Sequence, residues 1–185
     1  LAFEDRSKVF YMVLSAPDVA EEGQSNAAEL REAAGLLGLI PENVWSTDFQ
    51  RRGFPGVRQS VLDLLVHMRE RFKPRTVLVP WSGDFHQDHQ VVHQEAMRAF
   101  KQQDVLGYEQ TWNTPDFHPT LHFEVSEEAI GYKVNALKLY VSQKHRPYMD
   151  PEVIRGWARF RGAQAGVKYA EAYAVIRSIG RGPEP

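Results

Sequence analysis

Apolar positions along the chain change their spacing several times, and each change marks an element. Val9-Phe10-Tyr11-Met12-Val13-Leu14 is a continuous apolar run between Lys8 and Ser15-Ala16-Pro17-Asp18, which predicts a buried strand. A polar stretch, Glu21-Glu22-Gly23-Gln24-Ser25, precedes Ala27, Leu30, Ala34 and Leu37, which recur at helical spacing up to Gly38. Asn26, with Glu29 three residues on, has the form of a capping box at the start of that helix. Val44-Trp45-Ser46 predicts a short strand, and Asp48 to Gly56 a loop carrying Arg51 and Arg52. Val57, Val61, Leu64, Leu65, Met68 and Phe72 define a second amphipathic helix, which Pro74 ends. Thr76 to Val79 reads as a buried parallel strand, with Pro80-Trp81-Ser82-Gly83-Asp84 as the loop at its carboxyl end.

Behind that loop Val92, Ala96 and Phe100 pace another helix, and Val105 to Trp112 and Leu121 to Val125 predict two further strands. Ser126 caps the next helix, with Glu127 and Glu128 in its first turn, and Asp150-Pro151 opens one more. The spacing over Tyr169 to Ile179 fits a strand or a helix equally. Strands alternating with helices predict an α/β chain with a Rossmann-like layered fold and a mostly parallel sheet. With no repeat and no linker, residues 1–180 read as one domain and 181–185 as a tail.

Composition narrows the chemistry. A chain of 185 residues can bury a core, and a net charge of −2 gives no long-range attraction for nucleic acid or an anionic membrane. The basic cluster Arg71-Phe72-Lys73-Pro74-Arg75 reads as a solvated helix end. Without cysteine there is no disulfide, thiolate ligand or thiol nucleophile, so any metal is held by His and carboxylates. No apolar run approaches the ~18 residues of a spanning helix and no secretory signal is visible, which favours a cytoplasmic enzyme. The opening, Leu1-Ala2-Phe3-Glu4-Asp5-Arg6, reads as a helix end and a turn, so the sequence begins inside a fold.

His86, Asp88, His89 and His93 fall within eight positions at a strand's carboxyl end, where open α/β sheets bind ligands. They lie too close together to complete a metal site alone, although His89 and His93 share a helix face. His67, His118, His122 and His145, taken singly, read as surface or satisfied residues. No G-x-S-x-G elbow, Walker loop or G-x-G-x-x-G after the first strand is present.

Several further segments occur in a telling order: Asn26-x-x-Glu29 leading to Leu37-Gly38, Arg52-Gly53-Phe54-Pro55-Gly56-Val57-Arg58-Gln59, and then His86-Gln87-Asp88-His89. Gly107-Tyr108-Glu109 with Trp112-Asn113, Tyr140-Val141-Ser142-Gln143 and Tyr169-Ala170-Glu171-Ala172-Tyr173 follow. On these segments the chain, from about Leu1 to Ile179, resembles the LmbE-like or PIG-L-type zinc-dependent N-deacetylases, which remove acetyl from N-acetylglucosamine-type sugars. The resemblance implies zinc, or another divalent metal, held by a His and an Asp of an H-P-D-D motif and by the last His of H-x-D-H. Here that last ligand is His89. The second Asp of H-P-D-D would be the general base, and that motif is absent from the sequence. Ala16-Pro17-Asp18 does not replace it, because the helix carrying Glu29 follows the family's second strand. Val9 to Leu14 is then that second strand, and the first strand with its metal loop belongs upstream of Leu1.

The same resemblance implies roles for the remaining residues. His86, as imidazolium, would stabilise the tetrahedral oxyanion or protonate the leaving nitrogen, with Asp88 accepting a hydrogen bond from it and raising its pKa. Asp18, Arg51 and Arg52 would contact sugar hydroxyls or phosphate, and Trp112 and Asn113 would form another wall, although Trp112 fits core packing equally. Asn26 stands where many relatives carry Arg, a loss that Arg51, Arg52 or Arg58 could offset. Asp84 stands where some relatives place a tyrosine that helps the oxyanion. The implied partner is a small N-acetylated sugar or conjugate, with oligomeric state open. Two alternatives stand beside this reading. One is an inactive sugar- or nucleotide-binding domain. The other is a Rossmann-like nucleotide-binding or methyl-transfer domain, disfavoured by the missing glycine-rich loop.

Overall fold

The structure, a computed structural model, describes residues 8–16 and 26–180. The expectations for Leu1 to Asp5, for Pro17-Asp18, for Glu21 to Ser25 and for the tail at 181–185 lie outside the described residues. In chain order the elements are β1 (Tyr11–Val13), α1 (Asn26–Leu36), β2 (Val44–Ser46), α2 (Arg58–Phe72), β3 (Thr76–Pro80) and α3 (Gln87–Ala99). They continue with β4 (Asp104–Tyr108), β5 (Leu121–Glu124), α4 (Glu127–Lys138), α5 (Pro151–Ala165) and β6 (Ala170–Arg177). The chain divides into two compact units, each made of two separated stretches: residues 1–50 with 122–171, and 51–121 with 172–185. Two of the divisions fall inside strands, which is why no linker composition marks them.

In the first unit β1 pairs in parallel with β2, Tyr11 opposite Val44 and Val13 opposite Ser46. The expected six-residue strand shortens to three, and Tyr11 is 43% exposed, so this is a half-covered strand and not a buried one. α1 buries Ala27, Leu30, Ala33 and Ala34 and ends at Gly38, whose φ of +74° is the left-handed conformation glycine adopts without strain. The capping box is not formed: Glu29 is buried and accepts the Ser142 main-chain N–H (2.9 Å) and hydroxyl (2.6 Å). α4 and α5 enclose Val125, Ile130, Val134, Ile154 and Ala158. Their starts follow the sequence: Ser126 Oγ accepts from Ala129 N–H, and Asp150 Oδ1 from Glu152 N–H.

In the second unit β3 runs parallel to β4, and β4 pairs antiparallel with β6. Strand order in the sheet is β3-β4-β6-β5. The parallel expectation therefore holds for β1–β2 and β3–β4, and the segment whose spacing left strand and helix open is an antiparallel strand. β4 stops at Tyr108, and the rest of the predicted strand turns at 111–113. α2, which buries Val61, Leu65 and Met68, packs on α3, which buries Val91, Ala96 and Ala99. Glu95 of α3 is fully buried between Arg58 and Arg98. Burial alone would raise its pKa, but the hydrogen bonds and charges of the two guanidinium groups outweigh it and hold Glu95 below its ordinary value. Arg58 thus pairs with Glu95 while its side chain stays half exposed.

Candidate active site

The loop after β3 builds the site. Trp81 lies over Gly83, where an added Cβ would come within 2.3 Å of its ring, and meets Phe117 edge-on. That packing turns Asp84 inward, with no exposed surface. Its Oδ1 accepts the His86 N–H at 2.7 Å, and its Oδ2 meets His89 Nδ1 at 2.7 Å. A carboxylate can only accept here, so the His89 proton is on Nδ1, and in the neutral tautomer of that ring Nε2 keeps its lone pair. This is the arrangement by which an outer carboxylate orients a metal-binding imidazole.

His86 caps α3: its Nδ1 accepts the Asp88 N–H at 3.1 Å. The donor fixes the neutral ring's proton on Nε2. Its ring stacks on His89 with centroids 4.6 Å apart. Partial burial pushes the His86 pKa down, and His89 and Arg52 add to that, against the opposing pull of Asp88 and Asp84. Protonating Nδ1 would also forfeit the cap. The expected imidazolium is thus replaced by a neutral ring offering Nε2–H, and the expected bond from His86 to the Asp88 carboxylate is not made. Asp88, 5% exposed, turns the other way and accepts the main-chain N–H groups of Arg52 (2.6 Å) and Phe54 (3.2 Å).

Arg52 stands at φ +65°, a conformation that costs a residue with a Cβ about 1–2 kcal/mol. Gln87 Nε2 also donates to its carbonyl at 2.5 Å. Arg51 and Arg52 are both exposed. His93, the fourth member of the cluster, donates Nδ1–H to the Pro80 carbonyl at 2.8 Å, tying α3 to the end of β3. Trp112 is 63% exposed in the 111–113 turn, which excludes core packing. Asn113 is linked to the site through its carbonyl, which accepts the Phe85 N–H at 3.1 Å. Asp18 lies outside the described residues. Among the lone histidines, His118 and His145 are exposed as expected. His122 is not satisfied, since its Nε2 is buried without a hydrogen-bond partner.

Two residues escape sequence reasoning. Asp84 reads as a substitution at a donor position, yet it orients both histidines. Phe85, 69% exposed beside His86, has no periodicity to flag it. Asp84 reaches His89 only because the helix start folds the chain back over five residues, a relation no short motif encodes.

Among the described residues no three His or carboxylate groups converge as a metal site. The chemistry of the donors nevertheless fits a divalent cation at one point, His89 Nε2. No helix of the described residues is long and apolar enough to cross a membrane.

The fold is shared with several solved proteins. A conserved protein of Thermus thermophilus is 24% identical, with a TM-score of 0.74 over 93% of this chain and 83% of that one. N,N'-diacetylchitobiose deacetylase from Pyrococcus horikoshii is 18% identical, with a TM-score of 0.68 over 89% of this chain and 70% of that one. GalB, the 4-carboxy-2-hydroxymuconate hydratase of Pseudomonas putida, is also 18% identical, with a TM-score of 0.68 over 95% of this chain and 99% of that one. At such identities the likeness concerns the fold. A family model described as PIG-L: GlcNAc-PI de-N-acetylase matches residues 6–100, just over half of the chain, and the chain belongs to that family. No curated protein matches it in sequence.

Proposed function

We propose that the protein is a metal-dependent amide hydrolase that removes the N-acetyl group from an N-acetylglucosamine-type sugar or sugar conjugate. The observation that carries this reading is the Asp84–His89 pair, which leaves an imidazole lone pair open beside the Nε2–H of His86. His89 would hold the metal, zinc by family resemblance. A bound zinc supplies a water whose pKa is lowered to ~7 and polarises a carbonyl. His86 donates Nε2–H to the developing oxyanion, as a neutral donor of the kind that needs no change of charge during the reaction. Asp84 fixes the tautomer and direction of His89. Arg51 and Arg52 supply cations for sugar hydroxyls or phosphate, Trp112 an exposed ring for the sugar's apolar face, and Asn113 the link between that turn and His86. Asp18 is kept as a substrate contact on the resemblance alone.

A second reading, a sugar- or nucleotide-binding domain without hydrolytic activity, is favoured by one observation. Asp84 and Asp88 are both engaged in hydrogen bonds, so neither is free to serve as a base. Acetate release from a panel of N-acetylglucosamine conjugates by the full-length, zinc-loaded protein separates the two. His89→Ala should abolish zinc binding, and His86→Ala should keep zinc and lose most activity. Stoichiometric zinc in His89→Ala would remove the ligand assignment.

A further inference from the structure

The Asp88 carboxylate is nearly fully buried, and both its bonds go to the main chain of one surface loop. Gln87, its neighbour in the first turn of α3, grips the same loop from the other side through the Arg52 carbonyl. Between them the N–H and C=O of Arg52 are both held, and its φ of +65° is one that an arginine rarely adopts. An arrangement that uses a buried carboxylate to hold an unfavourable backbone at an exposed residue has its meaning in that residue's side chain. The Arg52 side chain is exposed, and its guanidinium makes no hydrogen bond or ion pair among the described residues. What it suits is an oxyanion on a bound molecule, which a planar guanidinium takes in two parallel hydrogen bonds.

We propose that Asp88 is a positioning residue for Arg52: with Gln87 it holds the chain at 52 in the left-handed conformation at the start of α3, so that the guanidinium serves as an anion-reading group there. The role of Asp88 then runs through the 51–54 loop and not through the His86 ring. This inference rests on the deacetylase reading for its catalytic readout, and on binding alone for its second.

The test compares N-acetylglucosamine with N-acetylglucosamine 1-phosphate as substrates of the full-length zinc-loaded protein. Wild type, Arg52→Ala, Asp88→Asn, Gln87→Ala and the double variant Arg52→Ala/Asp88→Asn are assayed. Inorganic phosphate binding is measured in parallel by calorimetry. Loss of a charge-assisted bond predicts that Arg52→Ala lowers the ratio of kcat/KM for the phosphorylated over the plain sugar roughly tenfold or more, mainly through KM. Asp88→Asn and the milder Gln87→Ala should move the same ratio in the same direction. In the Arg52→Ala background Asp88→Asn should move it no further, because the two act as one unit. Additive effects, or an Asp88→Asn loss that falls on kcat equally for both sugars, would overturn the proposal while leaving the deacetylase reading standing. So would a wild type that neither prefers the phosphorylated sugar nor binds phosphate. Should no sugar be deacetylated, that reading fails instead. Phosphate affinity then decides: weakened alike in the Arg52, Asp88 and Gln87 variants it supports the latch, and unchanged in the Asp88 and Gln87 variants it refutes it.

Discussion

Replacing Asp84 by asparagine should disarm His89 while leaving the fold in place. The asparagine carbonyl can still accept the His86 N–H, which leaves the amide NH2 facing His89 Nδ1, now 2.7 Å from a carboxylate oxygen. Two N–H groups cannot share that contact, so the His89 proton must move to Nε2 and Nδ1 must accept. Both hydrogen bonds survive in weaker, uncharged form, at a cost of about 1–2 kcal/mol. Against a typical total stability of about 5–15 kcal/mol the variant folds. Metal binding suffers more: the only His89 nitrogen facing outward now bears a proton, and restoring it sets two N–H groups against each other. Loss of an outer-shell carboxylate typically costs about 10–100-fold in affinity, and the opposed donors place this variant at the upper end. Nitrogen-15 spectra of histidine-labelled, metal-free protein report which ring nitrogen carries the proton, and chelator competition on the full-length protein reports the affinity. A variant in which His89 keeps its proton on Nδ1, or binds zinc as wild type does, would show that Asp84 does not set the His89 tautomer.

Three further perturbations test the frame around the site. Glu95→Gln removes a carboxylate whose folded pKa lies below the ordinary 4.5, so its stabilisation is complete above that value and is lost as pH falls through the depressed one. The variant should lose about 1–2 kcal/mol at neutral pH, the lower part of the range for hydrogen bonds to charge because Arg58 and Arg98 are half exposed, and the gap should close in strong acid. Denaturant titrations that show a gap independent of pH would contradict the ion-pair account. Gly83→Ala drives a methyl into the Trp81 ring and should cost about 1–3 kcal/mol, whereas Gly56→Ala meets open space; equal melting temperatures would show that Trp81 does not set the loop. Ser142→Ala leaves one Glu29 oxygen without its hydroxyl donor and should lower stability by about 1–2 kcal/mol, an effect absent if Glu29 instead capped α1.

Where one residue's surroundings come from its own element, the sequence is enough to read them. The caps at Ser126 and Asp150, the apolar stripe of α2 and the position of the strand before His86 are all local relations and stand as expected, although only Val79 and Pro80 of that strand are buried. Reading fails where a partner is distant. Asn26-x-x-Glu29 looks like a cap because the pattern is local, but Glu29 is drawn to Ser142, more than a hundred residues away. Asp88 looks like the partner of His86 for the same reason, and the Arg52–Phe54 loop takes it instead. The antiparallel pairing of β6 is a property of β4 as much as of β6, so its own spacing could not declare it.

The two aspartates of the site explain why the histidines differ. Asp84 accepts a proton-bearing Nδ1 and thereby leaves His89 with an outward lone pair. The Asp88 main chain donates to Nδ1 of His86 and thereby leaves that ring with an outward N–H. Two imidazoles stacked 4.6 Å apart are thus given opposite outward characters, one a Lewis base and one a donor, by neighbours of opposite hydrogen-bonding sense. Two lone pairs side by side would repel a carbonyl oxygen, and two N–H groups would repel a cation. In the proposed reaction the alternating pair would let a carbonyl oxygen meet the N–H while a cation sits against the lone pair. The spacing of His86, Asp88 and His89 matters because one residue's main chain and another's side chain set these opposite tautomers, and a site in which both rings carried the same tautomer would have no use for their proximity.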